Sequence, residues 1–362
     1  MTPSRSSRTC SSAERVAVVL ATVLALTAAA ESADRVLLSR PFPIEAEASF
    51  PGGLYHWLDS LAGTSVGKTV PAHREQYVAL FGALTDEDRS HLQAFVAARS
   101  EALDRMRMDA ANGGRPFRFS AWLGVFCSAA TVEDALAAVK SDVAPATWEG
   151  FAGAFAHFRP KYERVWRGGE IPRAFLDAAR RDPALARLRT LLTKLVRFYD
   201  VKPKKARTPR LALVPVPDGW GTHAEAIEEI LFLEIPPGDT LSGEASVIVH
   251  ETAHFLWSLV PQDRKRRLAA FGSGLSPDAA RRVPLLHEAI PTALGQGVAD
   301  RLFQPRLWST EDDWYHTREV DEMAKKIYPM VSRALEEGWT LDERFLERIL
   351  AAEAPAGSLV PR

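Results

Sequence analysis

Residues 247–260 read Val247-Ile248-Val249-His250-Glu251-Thr252-Ala253-His254-Phe255-Leu256-Trp257-Ser258-Leu259-Val260. The run is apolar on nearly every side of a helix, which predicts a buried helix. Two imidazoles and a carboxylate inside such a helix are costly unless something satisfies them. Residues four apart lie roughly 40° apart in projection and one turn apart along the axis. The rings of His250 and His254 therefore point to one side and can share a tetrahedral metal. Glu251 stands beside them, where it can take a proton from water. A bound cation answers all three groups at once; the alternative is a set of core histidines hydrogen-bonded to neighbours.

This is the H-E-x-x-H arrangement of a zinc hydrolase, and it predicts Zn2+ as the cofactor. A third ligand has to come from elsewhere. One sub-family places a Gly three residues and a His six residues after the second histidine, but those positions hold Trp257 and Val260. The better candidate is Glu288, in Leu286-His287-Glu288-Ala289-Ile290-Pro291-Thr292-Ala293-Leu294-Gly295. The small residues Ala289, Ala293, Gly295 and Gly297 follow it and let a second helix approach the first. His287 and Asp300 are the substitutes, and a surface carboxylate is the bland reading of Glu288. A purely structural zinc usually has four protein ligands and favours Cys, and the chain has two cysteines. Cys10 would leave with an export signal; Cys127, in Trp122-Leu123-Gly124-Val125-Phe126-Cys127, reads as a buried structural thiol.

Residues 242–300 resemble the core of the gluzincin metallopeptidases, whose third zinc ligand is a Glu on a following helix. The resemblance implies that His250, His254 and Glu288 bind zinc and that Glu251 is the general base. It also implies that an edge strand before the helix, here Ile230 to Ile235, holds the substrate backbone by strand addition. It covers roughly a sixth of the chain and says nothing of the first half. Two departures stand out. Many gluzincins place an Asp four residues after the ligand Glu to orient a ligand His; that position is Thr292. Pro291 removes an N–H donor and kinks a continuous helix unless a new helix starts there. A donor for the developing oxyanion is also needed, and Tyr315 and His316, in Asp313-Trp314-Tyr315-His316-Thr317-Arg318, are the candidates.

Working outward, helical periodicity marks 71–84, 86–108, 146–166 and 172–200, then 284–303, 318–337 and 341–353. Thr85 before Asp86-Glu87-Asp88 reads as an N-cap with acids in the first turn, which explains those carboxylates better than calcium does. Pro160 is expected to end or kink its helix. Leu211 to Val216 and Ile230 to Ile235 read as strands, with Pro215 confining the first to an edge or a bulge. His56, His73, His91, His157 and His223 show no ligand spacing and read as structural or surface residues. The predicted class is α+β and predominantly helical: a zincin-like catalytic lobe, with a small sheet and the active-site helix, over 206–356, and a helical N-terminal lobe over 31–205. The basic stretch Lys202 to Arg210 reads as the connection between them.

Arg5, Arg8 and Arg15 precede the apolar run Val16 to Ala30, which ends in Ala28-Ala29-Ala30. That is the pattern of a signal peptide over 1–30, cleaved near Ala30, and predicts a secreted or periplasmic protein without stable membrane insertion after cleavage. An uncleaved anchor is the alternative. A formal net charge of -1 over 362 residues gives no reason to expect nucleic acid. The tail 357–362 reads equally as a tag remnant or as a natural tail. The function expected is a zinc-dependent peptidase acting on a peptide or protein substrate. Its rivals are a zinc hydrolase of another amide and a non-catalytic binding protein retaining the fold. The intact Glu251 argues against the last. Oligomeric state is not readable.

Overall fold

The computed structural model describes residues 35–38, 42–65, 67–114, 117–202 and 208–351. The expected signal segment, most of the basic connection and the tail lie outside the described residues. Residues from Val36 onward form one compact unit. No helix among the described residues is long and apolar enough to cross a membrane.

The fold is mostly helical with one mixed five-stranded sheet. Its strands are β1 (Arg35–Leu37), β2 (Glu45–Ala48), β3 (Arg210–Pro215), β4 (Ala224–Ile227) and β5 (Ile230–Ile235), in the order β1-β2-β3-β5-β4. β2, β3 and β5 run parallel, and β4 pairs antiparallel to β5. The central strands are buried on both faces, as parallel strands between helical layers are. Leu211 and Leu213 of β3, with Leu231, Leu233 and Ile235 of β5, enter one core. Ala212, Val214, Ile230 and Phe232 enter the other. This period-two alternation makes the sheet the partition between two helical layers.

One layer holds α1 (Phe50–Ala62), α2 (Val70–Phe81), α3 (Asp86–Ala111), α4 (Ala121–Ser128), α5 (Val132–Val139) and α6 (Pro145–Trp166). The other holds α7 (Glu170–Arg181), α8 (Ala184–Tyr199), α9 (Leu241–Leu259), α10 (Gln262–Leu275) and α11 (Pro277–Arg282). It continues with α12 (Leu286–Thr292), a π-helical run Ala293–Ala299, α13 (Asp300–Phe303), α14 (Arg318–Glu337) and α15 (Glu343–Ala351). The layering does not follow the expected division at residues 205 and 206. α7 and α8 pack in the same core as α9, and β2 lies in the same sheet as β3.

Prolines account for two further differences. Pro160 lies inside α6, which continues to Trp166. Both Pro160 and Ala156, whose carbonyl loses its helical donor, face solvent, so water can take the place of that bond. Pro215 ends an interior strand, not an edge strand. The β2 register stops at Ala48 opposite Leu213, so β3 has no neighbour on that side by the time it reaches Pro215. α1 opens with Phe50-Pro51-Gly52-Gly53. Ser49 caps it by accepting from Gly52 N at 3.2 Å. A Cβ on Gly53 would sit 2.0 Å from the Tyr162 hydroxyl oxygen, so the glycine serves close packing.

The cap of α3 is as expected, a reciprocal capping box between Thr85 and Asp88. Asp88 does more than cap. Its buried carboxylate accepts from Tyr77 Oη at 2.8 Å and lies 2.7 Å from His157 Nε2, with Lys161 Nζ also bound to it. Burial alone would raise its pKa, but hydrogen bonds from Lys161, His157 and Thr85 outweigh that and hold it well below the usual carboxylate range. Replacing Asp88 by Ala strands these partners and is expected to cost about 3–5 kcal/mol in urea unfolding at pH 7. A group with a depressed folded-state pKa stabilises above its unfolded value, about 3.9. The difference between wild type and variant should therefore shrink as the pH falls below that value. A loss under about 1 kcal/mol at pH 7 would mean the carboxylate is a passive cap.

Candidate metal centre

The helix carrying the motif, α9, starts at Thr240, whose hydroxyl accepts from Gly243 N at 3.1 Å. Its apolar side enters the core through Ile248, Val249, Ala253, Phe255 and Leu256. The opposite side faces a cleft of about 950 Å³ at the β4 edge of the sheet, lined by His250, Glu251 and His254. β4 forms one flank. Lys68 and Arg118, from loops of the first helical layer, complete the wall.

The helical run after α11 brings Glu288 to the two histidines. His250 Nε2 and His254 Nε2 are 3.1 Å apart. Glu288 Oε2 lies 3.2 Å from His254 Nε2 and 3.7 Å from His250 Nε2. One ligand atom from each of the three falls within 4.8 Å of the others. Burial alone would raise the Glu288 pKa, but hydrogen bonds to His250, His254 and His287 hold it far below the usual range. Of the substitutes, His287 is half-exposed and reaches Glu288 Oε1 through Nδ1 at 3.3 Å. Asp300 lies outside the convergent group, and burial pushes its carboxyl up to about 6.

The approach of the two elements depends on Gly295. A Cβ there would lie 2.6 Å from Ser246 O and 3.1 Å from His250 Cβ. Gly297 serves a different neighbour, since its added Cβ would meet Tyr328 at 2.5 Å and Trp314 at 3.2 Å. Pro291 lies within α12 without ending the run, which proceeds into the π-helical segment beside α9. Short π segments are frequent at functional sites.

The residues fit a zinc ion. Two imidazoles and a carboxylate form a recognised three-ligand donor set. Ligation through Nε2 leaves the proton on Nδ1, and the partner that usually accepts it is missing at His250, whose Nδ1 is buried with no partner among the described residues. The Thr292 hydroxyl, at the position of the absent Asp, is also buried and unpartnered. Glu251 lines the cleft next to the ligands, half-buried.

Tyr315 and His316 both line the cleft. The Tyr315 hydroxyl donates to Glu288 Oε2 at 3.2 Å, and its ring stacks on His250 with centroids 6.4 Å apart. Burial, then the Glu288 charge and hydrogen bond, push this hydroxyl up to about 12. It is a protonated donor at neutral pH. His316 is exposed and packs on Tyr315 at 4.3 Å. Asp321 fixes this loop by accepting from Trp314 N at 2.6 Å and Tyr315 N at 3.1 Å. Asp321 escaped the sequence reading, where it is one acid among several at the start of α14.

The expected edge strand is corrected. Ile230 to Ile235 lies between β3 and β4, and the edge is Ala224 to Ile227. β4 carries Glu225 into the cleft, and Ser120 Oγ donates to its two oxygens at 2.6 and 2.7 Å. Burial, and more weakly the nearby Glu251 charge, raises the Glu225 pKa. β4 is hard to read from its residues, because its hairpin turns on Glu228-Glu229, with φ 53° at Glu228, instead of the usual Asn-Gly pair.

No protein-family model matches this chain, and neither a curated protein nor a solved structure matches it at a significant level.

Proposed function

We propose that this chain is an exported zinc-dependent peptidase of gluzincin type, with zinc held by His250, His254 and Glu288. The observation that carries the reading is the convergence of those three ligand atoms within 4.8 Å at a cleft that Glu251 also lines. Bound zinc supplies a Lewis acid for the scissile carbonyl and lowers the pKa of water. Glu251 then acts as the general base, removing a proton from the attacking water and delivering it to the leaving amine. Tyr315 donates a hydrogen bond to the carbonyl oxygen as charge develops there, and Asp321 positions it. The free edge of β4 aligns an extended peptide backbone by strand addition. His316, at the cleft surface, contributes to substrate contacts.

The test is elemental analysis of zinc in wild type and Glu288→Ala, prepared side by side. Glu288→Ala should contain about one fewer zinc ion per chain than wild type. Unchanged zinc content would remove Glu288 from the ligand set. A wild type that takes up no zinc after reconstitution would end the enzyme reading. Substrate profiling on unstructured peptides then separates a peptidase from a hydrolase of other amides.

A further inference from the structure

A second group of metal-ligating side chains lies away from the cleft centre, inside the first helical layer. His56 of α1, His73 of α2 and Glu234 of β5 are 3%, 2% and 0% exposed. His56 Nε2 and His73 Nε2 lie 2.9 and 2.7 Å from the same oxygen, Glu234 Oε1. All three ligand atoms fall within 4.8 Å of one another. Nothing in the chain's spacing announces this group; its members come from three separate elements. We propose that His56, His73 and Glu234 form a second, structural zinc site that ties α1 and α2 to the sheet.

The first argument is the polar inventory. If His73 donated from Nε2 as a neutral ring, Nδ1 would be left a bare acceptor, and Nδ1 is buried with no partner among the described residues. Glu234 Oε2 is in the same position. A carboxylate this buried normally has both oxygens satisfied. Ligation reverses the account. Nε2 becomes the ligand, Nδ1 carries the proton, and Oε2 is available as a further donor atom. The nearest candidates in sequence for that proton are Thr69 and Gln76, neither of which is within hydrogen-bond distance of Nδ1 here. Thr69 and Gln76 lie four residues before and three after His73, on the same side of α2. Thr69 Oγ1 and Gln76 Oε1 are both buried without partners.

The second argument is charge. The buried Glu234 carboxylate needs a positive charge beside it, which either a protonated His56, 2.9 Å away, or a bound cation supplies. A divalent ion at the shared point offsets the carboxylate. Two imidazole nitrogens with carboxylate oxygen suit zinc better than magnesium or calcium, which prefer oxygen throughout. Burial of every donor closes the site to substrate; it has three protein ligands where a structural zinc usually has four, and Glu234 Oε2 is the fourth donor atom available.

The test leaves the trio intact and removes the first site. In a His254→Ala, Glu288→Ala double variant of the full chain, zinc content after reconstitution and desalting should be about one ion per chain. Its melting temperature should rise on adding zinc and fall on adding chelator. Adding His73→Ala should abolish both the bound zinc and the zinc-dependent shift. Circular dichroism establishes whether that triple variant is folded, and the double variant's zinc content stands as the test if it is not. A folded double variant that holds no zinc and shows no shift would overturn the proposal, leaving a hydrogen-bonded His–Glu–His triad. So would a folded triple variant that keeps its zinc. Neither result depends on the catalytic reading of the cleft.

Discussion

Glu251→Gln is expected to lower kcat/KM on a peptide substrate by about 10²–10⁴-fold while leaving zinc content and melting temperature at wild-type values. The amide keeps the size and most of the polarity of the carboxylate but cannot accept the proton. Glu251 contributes nothing to the core, being a half-buried residue at the cleft. The loss should fall on kcat more than on KM, because the proton moves only as the transition state forms. Glu225 is the neighbouring carboxylate that could interfere with this outcome, but Ser120 holds both of its oxygens. Steady-state kinetics on matched, zinc-loaded samples decide it. Activity within tenfold of wild type would remove Glu251 from the role of base.

The second large effect is expected at Gly295. In an ordinary helix interior, Gly→Ala stabilises by about 1 kcal/mol. Here the added methyl has a backbone oxygen, Ser246 O, at 2.6 Å and His250 Cβ at 3.1 Å. A backbone oxygen inside a packed helix cannot swing aside as the end of a side chain does. The two helices must separate, at a cost of about 1–3 kcal/mol. Because the same helical run carries Glu288, that separation moves a ligand away from His250 and His254. Zinc affinity is expected to fall about 10–100-fold, the usual size of a disturbance just outside the ligand set. Gly274→Ala is the control. It lies in α10 with nothing near its added Cβ, and should leave stability and zinc binding unchanged or slightly improved. If Gly295→Ala behaves like this control, the helix contact does not hold the ligands in place.

The motif helix was legible because its chemistry and its periodicity agree. An apolar run containing two histidines four apart has few structural solutions, and α9 runs from Leu241 to Leu259 with one side in the core and the other on the cleft. The approach of the Glu288 segment to α9 was legible through the small residues after it, and of its two glycines Gly295, not Gly297, is the one that meets α9. Other features follow from long-range pairing, which a local pattern cannot reveal. β4 is four residues long with an unmarked turn, so the true edge of the sheet was missed. β2, Glu45-Ala46-Glu47-Ala48, has almost no strand character of its own and forms because β3 lies beside it. His56, His73 and Glu234 are brought together by two helices and a strand from opposite halves of the chain. The layering escaped for the same reason: strands buried on both faces read as uniform apolar runs, which do not disclose which helices cover which side.

That sheet bears on how the chain reaches its native state. The pairs Glu45↔Arg210 and Ala48↔Leu213 join segments separated by the whole of the first helical layer and by α7 and α8, and the ladder continues to Ile235. Loop-closure entropy has to be met before such distant pairings contribute. During synthesis, α1 to α6 can form as local helices, but their shared core lacks the sheet residues Ala212, Val214, Ile230 and Phe232 until those have left the ribosome. The second layer likewise draws Val36, Ile44 and Ala46 from the other end of the chain. The halves are thus kinetically as well as structurally interdependent. A fragment cut at residue 206 would expose a strand edge and an apolar face together, the combination most prone to aggregate.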